Sequence, residues 1–508
     1  MPERRLAVEW AVAVAAASAT ALLYRLAFTL DASCCLVWVA FVPLILATIR
    51  FSPTTALLYG WFSGALLNLT TSAWVFEVPG VGIHHGLMLA AYLGIFPAIW
   101  CLIVASVWRS RAPFLLAVPA AWVILDFLRA HAGPMAISWA TPAYWQHTNP
   151  AILQLAAYTG EYGVTFLVML VNAAIALSVR ERRWTALARA GGLVAGAVVL
   201  GTLVLRADSS SEMSLRVAVV QPAFSVEEMK TLGGAEKLDI LEGLTLQASN
   251  DEPNVIVWPE AAVHDWRRDP NLLLRIASIA EESGTSIVLG MSESGKSVRD
   301  QGAGQWLSAA TPFFRNTAVM ISDTGHFAGV YHKNRLVPFS EFSPFDGLPG
   351  RPDWIPKPAQ PMTAGIEQAQ FRLPGNISVI PIICWENLFA GYVRRAVTTD
   401  ASLVLHLVND NWAGQSPAAR QHNAASVVRA VENRIPFVTA SNTGPSQIID
   451  AHGRVIAEIP DLFVRGVVAA EVQVPRDRSF YHQAGDWFVV LCALLLAAGL
   501  NQRRGRRS

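Results

Sequence analysis

The sequence predicts a chain of two architectures, an all-α transmembrane bundle and a soluble α/β domain with a mostly buried sheet. Of the 508 residues, 53% are hydrophobic and only 15% are charged, whereas soluble globular proteins carry about 25% charged residues. The charge is also uneven, since residues 1–207 contain 19 of the 77 Asp, Glu, Lys and Arg residues. Beyond residue 207, short β-branched runs alternate with helical segments, a pattern typical of α/β domains.

Composition also excludes several classes of protein. A small soluble enzyme, a disordered chain and a collagen-like fibre do not fit these proportions. The formal net charge of +1 gives no reason to expect a nucleic-acid partner. Four of the five cysteines lie in apolar runs and Cys384 stands alone in the soluble part, so we expect no disulfide framework. Histidines and cysteines show no metal-ligand spacing, and we predict no metal.

Eight apolar stretches are candidates for membrane spans, which need about 20 mostly apolar residues each. Seven precede residue 207 and one lies near the C-terminus. Some of the seven are short or interrupted, so six is an alternative count, and the C-terminal stretch needs tilt or local thinning of the bilayer. The stretches are roughly Leu6–Phe28, Cys34–Ile49, Thr54–Leu69, Leu87–Trp108, Ala112–Leu128, Ile152–Val179, Thr185–Leu205 and Trp487–Leu500.

Arginines predict the orientation of the bundle, because cytoplasmic loops carry an excess of positive charge. With the N-terminus in the cytoplasm, the outer ends of the spans hold only Arg129 and Arg206. The segment after Leu205 then emerges outside, and the last helix returns to the cytoplasm. The cytoplasmic loops and tail would hold Arg4, Arg5, Arg50, Arg109, Arg111, Arg180, Arg182, Arg183, Arg503, Arg504, Arg506 and Arg507.

We therefore predict three segments: a bundle over 1–207, a soluble domain over 208–485, and a C-terminal transmembrane helix with a basic tail over 486–508. Hairpin turns are expected at Asp323–Gly325 and Ala451–Gly453. Helices are expected at Ala235–Ala248, Pro270–Ser283 and Ala418–Asn433. The strand candidates are Leu215–Gln221, Val255–Trp258, Ser286–Gly290, Thr317–Ser322, Ile377–Cys384, Leu403–Val408, Phe437–Ser441 and Gln447–Asp450.

Three short motifs in the soluble domain carry candidate catalytic groups. Trp258-Pro259-Glu260 ends a predicted strand with a carboxylate. Tyr331 to Phe339 reads YHKNRLVPF, contains Lys333, and is followed by Glu341. The apolar strand before Trp385-Glu386 ends in the thiol of Cys384 and turns towards a helix. Such a turn exposes a nucleophile, and the N-terminus of a helix lowers the pKa of a thiol.

Glutamate, lysine and cysteine together suit nucleophilic catalysis. A carboxylate whose pKa is raised by burial can take the proton of a thiol near neutral pH. A lysine stabilises the thiolate and then the oxyanion, and the backbone N–H of Trp385 is a second candidate donor. Taken one at a time, each residue has an ordinary structural explanation. A lone cysteine at the end of an apolar strand is more often a core residue than a nucleophile. Glu260 alone could be a helix cap, and Lys333 alone a surface charge. The three in this order favour the catalytic interpretation.

This set of motifs resembles the nitrilase superfamily of carbon–nitrogen hydrolases. A domain of that kind behind N-terminal spans resembles the bacterial apolipoprotein N-acyltransferase family. Further matching motifs are Tyr59-Gly60-Trp61, Ser72-Ala73-Trp74-Val75, Phe127-Leu128-Arg129, Ser138-Trp139, Gly160-Glu161-Tyr162-Gly163, Asn409-Asp410-Asn411-Trp412 and Arg429-Ala430-Val431-Glu432-Asn433-Arg434. The resemblance implies an αββα sandwich over a transmembrane bundle.

The resemblance also implies roles for individual residues. Glu260 matches the general base, Lys333 the lysine that stabilises the oxyanion, and Cys384 the nucleophile. Glu341 matches a second acidic residue that orients Lys333. Trp385 and Glu386 match the aromatic and acidic positions after the nucleophile, and Glu386 also suits the first turn of a helix. Arg429 and Glu432 lie three residues apart on a predicted helix, where we expect a structural ion pair.

The implied reaction moves an acyl chain from a phospholipid to Cys384 as a thioester, and then to the α-amine of a lipoprotein's diacylglyceryl-cysteine. The implied setting is the bacterial inner membrane, with the catalytic domain on the periplasmic side. No organic cofactor is implied, and we expect a monomer. The alternatives are a membrane-anchored amidohydrolase with the same three residues and a non-catalytic membrane protein with a decayed domain.

A proline-rich segment, Phe342–Met362, lies between the lysine and cysteine motifs. Long loops of this kind are often lids. One hypothesis is that it closes over the thioester and inserts Phe345 or Trp354 into the lipid interface. The alternative is a surface loop stiffened by proline.

Overall fold

The computed structural model describes residues 2–29, 34–78, 80–110, 113–207, 211–264, 270–297, 311–345, 355, 358 and 360–501. The chain divides into two compact units. We call Met1–Ser209, Ser416–Asn433 and Ser479–Ser508 the helical unit, and Ser210–Gln415 with Arg434–Arg478 the sheet unit.

The α-helices of the described residues range from single turns to helices of 28 residues. In chain order they are α1 (Pro2–Thr29), α2 (Val42–Thr48), α3 (Pro53–Thr71), α4 (Ile83–Ser110), α5 (Phe114–Ala130), α6 (Pro150–Leu153), α7 (Ala156–Thr159), α8 (Glu161–Glu181), α9 (Thr185–Ala207), α10 (Val226–Thr231), α11 (Gly234–Ser249), α12 (Pro270–Ser283), α13 (Ala390–Ala396), α14 (Ala418–Asn433), α15 (Phe480–Ala484) and α16 (Trp487–Asn501).

Four helices are long and apolar enough to cross a membrane: α1 from Ala7, α4, α8 and α9. The predicted count of seven N-terminal spans and one C-terminal span stays a prediction. The stretch predicted over Cys34–Ile49 is a 3₁₀ turn followed by the short α2. The stretch over Ile152–Val179 is broken at Gly160, whose φ of 66° ends α7 before α8 begins.

Helix α14 packs within the helical unit, whereas the sequence-based division assigned residues 416–433 to the soluble domain. The reason is a buried ion network. The fully buried guanidinium of Arg429 pairs with Glu161 at the start of α8, and lies 3.0 Å from a carboxylate oxygen of Glu432. Glu432 also accepts a hydrogen bond from the Glu161 backbone N–H at 2.6 Å. The predicted Arg429–Glu432 ion pair is confirmed, with Glu161 as a third member.

The sheet unit contains two six-stranded sheets. The strands are β1 (Ser211–Gln221), β2 (Val255–Val257), β3 (Ser286–Ser297), β4 (Thr311–Ile321), β5 (Phe327–His332), β6 (Phe371–Leu373), β7 (Ile377–Ile383), β8 (Ala401–Val408), β9 (Phe437–Ser441), β10 (Ser446–Ile449), β11 (Val455–Ile459) and β12 (Gly466–Pro475). One sheet has the order β12-β1-β2-β3-β4-β5 and the other β11-β10-β9-β8-β7-β6.

The centre of each sheet is parallel and its edges are antiparallel. Strands β1, β2 and β3 run parallel in one sheet, as do β7, β8 and β9 in the other. The segments that pair in parallel are buried and mostly apolar, as expected of strands covered on both faces. Contacts between β1 and β9 and between β4 and β7 join the sheets face to face, and α11 packs on β1 and β2. The predicted α/β architecture is confirmed.

Eight predicted strands are present, and the bounds of α12, α14 and β9 agree with the prediction residue for residue. Both predicted hairpins are present, joining β4 to β5 and β10 to β11 in antiparallel pairs. The sequence analysis missed β5, β6, β11 and β12. All four are edge strands of the two sheets; β5 and β11 are largely exposed, and β6 has only three residues.

Gly290 on β3 offers a test of how the sheet positions the Glu260 backbone. A Cβ atom at residue 290 would lie 2.5 Å from the Pro259 carbonyl oxygen and 2.6 Å from the Glu260 Cα atom. Both neighbours are backbone atoms, so Gly290→Ala must displace the segment that carries Glu260. We expect a lower melting temperature in detergent and loss of any activity that needs Glu260.

Gly243 on α11 is the matched control, because no heavy atom lies within 4 Å of a Cβ built there. Gly243→Ala is expected to stabilise the protein by up to about 1 kcal/mol, as alanine does in a helix. A Gly290→Ala protein with wild-type melting temperature and activity would show that the contact does not position Glu260.

Candidate active site

The nucleophile turn follows β7 directly. Strand β7 ends at Ile383, and Cys384 begins a 3₁₀ turn that runs to Leu388 before α13. Cys384 has a φ of 49°, a left-handed conformation that is uncommon for a residue other than glycine. Strained backbone of this kind persists only where the surroundings over-determine it, and it clusters at active sites. The turn leaves Cys384 only 6% exposed.

The carboxylate of Glu386 holds the nucleophile turn to the loop after β5. One carboxylate oxygen accepts hydrogen bonds from the backbone N–H groups of Asn334 at 2.7 Å and Arg335 at 3.0 Å. The other accepts from Ile383 N–H at 2.8 Å. The Tyr331 hydroxyl lies 2.7 Å from both oxygens. Glu386 therefore ties the residue before Cys384 to the two residues after Lys333.

Glu260 lies three residues beyond β2 and is buried. One of its carboxylate oxygens accepts a hydrogen bond from the Asn316 side-chain amide at 2.5 Å. The other accepts from the Asn409 backbone N–H at 2.8 Å. These two bonds come from β4 and from the loop after β8, so both sheets fix the orientation of the carboxylate.

Lys333 is 1% exposed and lies between two carboxylates. Its Nζ atom is 2.7 Å from Glu341 and 3.5 Å from Glu260. The second oxygen of Glu341 accepts the Val337 backbone N–H at 2.7 Å, which fixes that carboxylate from the opposite side. Glu341 thus occupies the position expected of a residue that orients the lysine.

Burial and neighbouring charges shift the pKa values of the three predicted catalytic groups, and so set the protonation state of each. Burial raises the pKa of the Cys384 thiol, and the charge of Glu260 raises it further against the opposing effect of Lys333. Burial also raises the pKa of Glu260, as predicted. For Lys333, burial acts to lower the pKa, but Cys384, Glu341 and Glu260 together raise it well above its usual range. Lysine is therefore the permanent cation of the site.

The thiol pKa corrects one expectation. The N-terminus of the turn was expected to lower it, but complete burial and the nearby carboxylates outweigh the turn and Lys333. The resting Cys384 side chain is therefore a neutral thiol, which would need a base to become a nucleophile.

Trp385 is buried beside the nucleophile, and its ring meets Phe389 edge-on with centroids 6.2 Å apart. Sequence reasoning did not single out Asn316 or His406. His406 on β8 places its Nε2 atom 2.9 Å from the Cys384 carbonyl oxygen, a donor position in the Nε2–H tautomer. Each contact joins residues far apart in sequence, and no local signal marks either one.

Most of the predicted lid, including Trp354, lies outside the described residues. Phe345 is described and half-buried, with its ring centroid 6.0 Å from that of Phe339. The lid hypothesis stays a prediction.

Comparisons with known proteins cover both units. Residues 216–480 match the family described as carbon–nitrogen hydrolase, and residues 20–174 match the apolipoprotein N-acyltransferase N-terminal domain. The chain is 32% identical over 430 residues to an apolipoprotein N-acyltransferase of Rhizobium meliloti, covering 80% of this chain and 76% of the relative. The chain is also 29% identical over 480 residues to an apolipoprotein N-acyltransferase of Geobacter metallireducens, and this match covers 90% of this chain and 88% of the relative.

A solved structure of an amidase from Nesterenkonia sp. is also similar. It is 19% identical with a TM-score of 0.38, and the match covers 54% of this chain and 93% of the amidase.

Replacing Lys333 by methionine tests the electrostatics of the site. Lys333 is the cation that opposes the rise in the thiol pKa, so Lys333→Met should move thiolate formation to higher pH. At a fixed alkaline pH, we expect alkylation of Cys384 by iodoacetamide to slow about tenfold or more. The measurement needs a background in which Cys34, Cys35, Cys101 and Cys492 are alanine.

Lys230→Met is the matched control, because it removes a lysine from an exposed position of the same unit. Its alkylation profile should equal that of the background protein. An unchanged profile for Lys333→Met would mean that the Lys333 charge does not act on the thiol.

Proposed function

Because this chain belongs to the apolipoprotein N-acyltransferase family of carbon–nitrogen hydrolases, we propose that it transfers an acyl chain from a phospholipid to the α-amine of a lipoprotein's diacylglyceryl-cysteine. The observation that carries the catalytic assignment is that Glu260, Lys333 and Cys384 are all buried, with the Lys333 Nζ atom 3.5 Å from the Glu260 carboxylate. Transfer proceeds through a thioester on Cys384.

In the first half-reaction, Glu260 accepts the thiol proton as the Cys384 sulfur attacks the ester carbonyl of the phospholipid. Its raised pKa suits Glu260 to this exchange near neutral pH. The Lys333 ammonium and the Trp385 backbone N–H stabilise the oxyanion. The ester C–O bond then breaks, the leaving alkoxide takes the proton from Glu260, and lysophospholipid departs while the acyl group stays on sulfur.

In the second half-reaction, the lipoprotein α-amine attacks the thioester carbonyl. Glu260 removes a proton from the attacking nitrogen, and Lys333 again stabilises the oxyanion. The C–S bond breaks and Glu260 returns the proton to sulfur. The products are an amide on the lipoprotein and the free thiol of Cys384, so the enzyme is ready for another phospholipid.

The supporting residues act through the three catalytic groups. Glu341 keeps Lys333 charged and directed into the site by its 2.7 Å contact. Glu386 holds the turn and the lysine loop in register. The buried Trp385 supplies the backbone N–H and fixes the nucleophile turn by packing. An amidohydrolase with the same three residues is the weaker alternative, because the match to the N-terminal domain of the acyltransferase family speaks against it.

We further propose that the protein is a monomer of the bacterial inner membrane with its sheet unit on the periplasmic side. Four described helices are long and apolar enough to span a membrane. The arginine bias favours a cytoplasmic N-terminus and a cytoplasmic C-terminal tail.

Mass spectrometry of the purified protein in phospholipid micelles, without a lipoprotein acceptor, tests the reaction. We expect a hydroxylamine-labile acyl adduct on Cys384 that is absent from Cys384→Ala. A diacylated lipopeptide should discharge it and gain one acyl chain. Discharge to free fatty acid at the same rate with and without lipopeptide would favour the amidohydrolase, and no adduct with any phospholipid would refute the thioester.

Labelling of single cysteines tests the orientation. In a background with Cys34, Cys35, Cys101 and Cys492 replaced by alanine, a membrane-impermeant maleimide should label Lys230→Cys in intact spheroplasts. Ser508→Cys should react only after permeabilisation. The reverse pattern would place the sheet unit in the cytoplasm.

A further inference from the structure

Asp410 is a buried carboxylate beside the nucleophile, and the proposed mechanism gives it no role. An oxygen of its carboxylate lies within 4.8 Å of the Cys384 sulfur, and the residue is only 2% exposed. Its charge raises the pKa of the Cys384 thiol and also the pKa of Glu260. Asp410 is therefore close enough to act electrostatically on both the nucleophile and the proposed base.

The loop after β8 holds the Asp410 backbone in place from both sides. The preceding residue, Asn409, donates its backbone N–H to the Glu260 carboxylate at 2.8 Å. The following residue, Asn411, donates its side-chain amide to a backbone carbonyl at 3.0 Å. One of these two anchors is the proposed base itself, so the loop that carries Asp410 is fixed relative to the site.

Carboxylates outnumber cations around the sulfur. Three carboxylates and one ammonium have the largest effects of any charged groups on the pKa of the Cys384 thiol: Glu260, Asp410, Glu341 and Lys333. Glu341 and Lys333 form a close pair at 2.7 Å. A thioester on the sulfur carries no charge, so the acylated site keeps its excess of negative groups. Such a site favours a substrate group that is positively charged.

The acceptor of the proposed reaction supplies a positive charge at the reacting atom. An α-amine has a pKa of about 8 and is mostly ammonium at neutral pH. The ammonium must release one proton to water before its nitrogen attacks the thioester. The nitrogen is positive again in the tetrahedral intermediate, until Glu260 takes the next proton. A carboxylate near this nitrogen stabilises it, as Lys333 stabilises the oxyanion.

We propose that Asp410 binds the α-ammonium of the lipoprotein acceptor and stabilises the positive nitrogen of the tetrahedral intermediate. This assignment deepens the proposed function and rests on it. Asp410 then favours an amine over water as the acceptor, because water carries no positive charge. Phosphatidylethanolamine also contains an alkylammonium, but its neighbouring phosphate leaves that headgroup without net charge. The experiment separates the two sources.

Discharge of the acyl-enzyme, in which Cys384 carries the thioester, tests the proposal. The acyl-enzyme is prepared with phosphatidylglycerol, which contains no ammonium, and is then mixed with a diacylated lipopeptide. Asp410→Asn removes the charge with little change of shape. We expect it to raise the half-saturating lipopeptide concentration about tenfold or more, in line with the loss of a charged hydrogen bond. Discharge by water should change less than about threefold, and acylation by phosphatidylethanolamine and by phosphatidylglycerol should change equally.

Two variants separate a role of the charge from a role in folding. Asp410→Glu restores the carboxylate and should recover part of the lost affinity for lipopeptide. Asp251→Asn is the matched control, since it removes an exposed aspartate of the same unit, and it should discharge like the wild-type protein. Alkylation of Cys384 by iodoacetamide provides a further readout. Asp410→Asn should shift it to lower pH, because the Asp410 charge raises the pKa of the thiol.

Binding to Cys384→Ala tests the ammonium site without any acyl transfer. The probes are a diacylated lipopeptide with a free α-amine and the same lipopeptide with its amine acetylated, each carrying a fluorophore at its C-terminus. We expect the free amine to bind at least about tenfold more tightly. Adding Asp410→Asn should abolish this preference, whereas adding Asp251→Asn should preserve it.

The outcomes separate the two proposals. Equal binding of the free and the acetylated lipopeptide would overturn the ammonium site, and this result does not depend on an Asp410 variant that folds. A folded Asp410→Asn protein with wild-type use of lipopeptide would overturn it as well. A loss confined to acylation by phosphatidylethanolamine would assign the ammonium to the donor and refute the acceptor site. If the wild-type protein forms no adduct with any phospholipid while the binding preference holds, the proposed function fails and the ammonium site stands.

Discussion

The candidate active site depends on one buried cation. The Lys333 ammonium lies 2.7 Å from Glu341 and 3.5 Å from Glu260, and its charge acts on the thiol of Cys384. Removing one member of such a buried pair costs roughly 3–5 kcal/mol, because the remaining charge has no partner. The same arrangement keeps lysine charged while burial holds the thiol neutral. Under the proposed mechanism, this arrangement suits proton transfer from sulfur to Glu260 when a substrate carbonyl arrives.

The two sheets serve to deliver these groups to one point. Glu260 follows a strand of the first sheet and Cys384 a strand of the second, and the Asn409 N–H crosses between them to Glu260. Glu386 then fixes the nucleophile turn against the lysine loop. The helical unit buries charge as well, in the Arg429 network and in the Asp126–Arg129 pair.

Sequence was sufficient to predict those features whose physical signal lies in a few neighbouring residues. The parallel strands were predictable because strands buried on both faces must be continuously apolar, and helix α12 followed from its amphipathic period. The proposed catalytic residues could be singled out because each stands in a short motif that resembles one of the nitrilase superfamily. Edge strands such as Val455–Ile459 were missed, because a short and largely exposed strand is not constrained by burial on both faces. The number of membrane spans also stayed a prediction, because length and apolar composition were the only signals for it.

The tertiary structure alone decided the features that depend on contacts between distant residues. The sequence by itself singled out Glu260, Lys333 and Cys384, the side chains that we propose supply the chemistry. It did not determine that Asn316 holds the base, because that bond joins residues 56 positions apart. It predicted the wrong direction for the thiol pKa, because burial is a property of the whole fold. It also assigned α14 to the soluble domain, since only the folded chain brings Arg429 to Glu161.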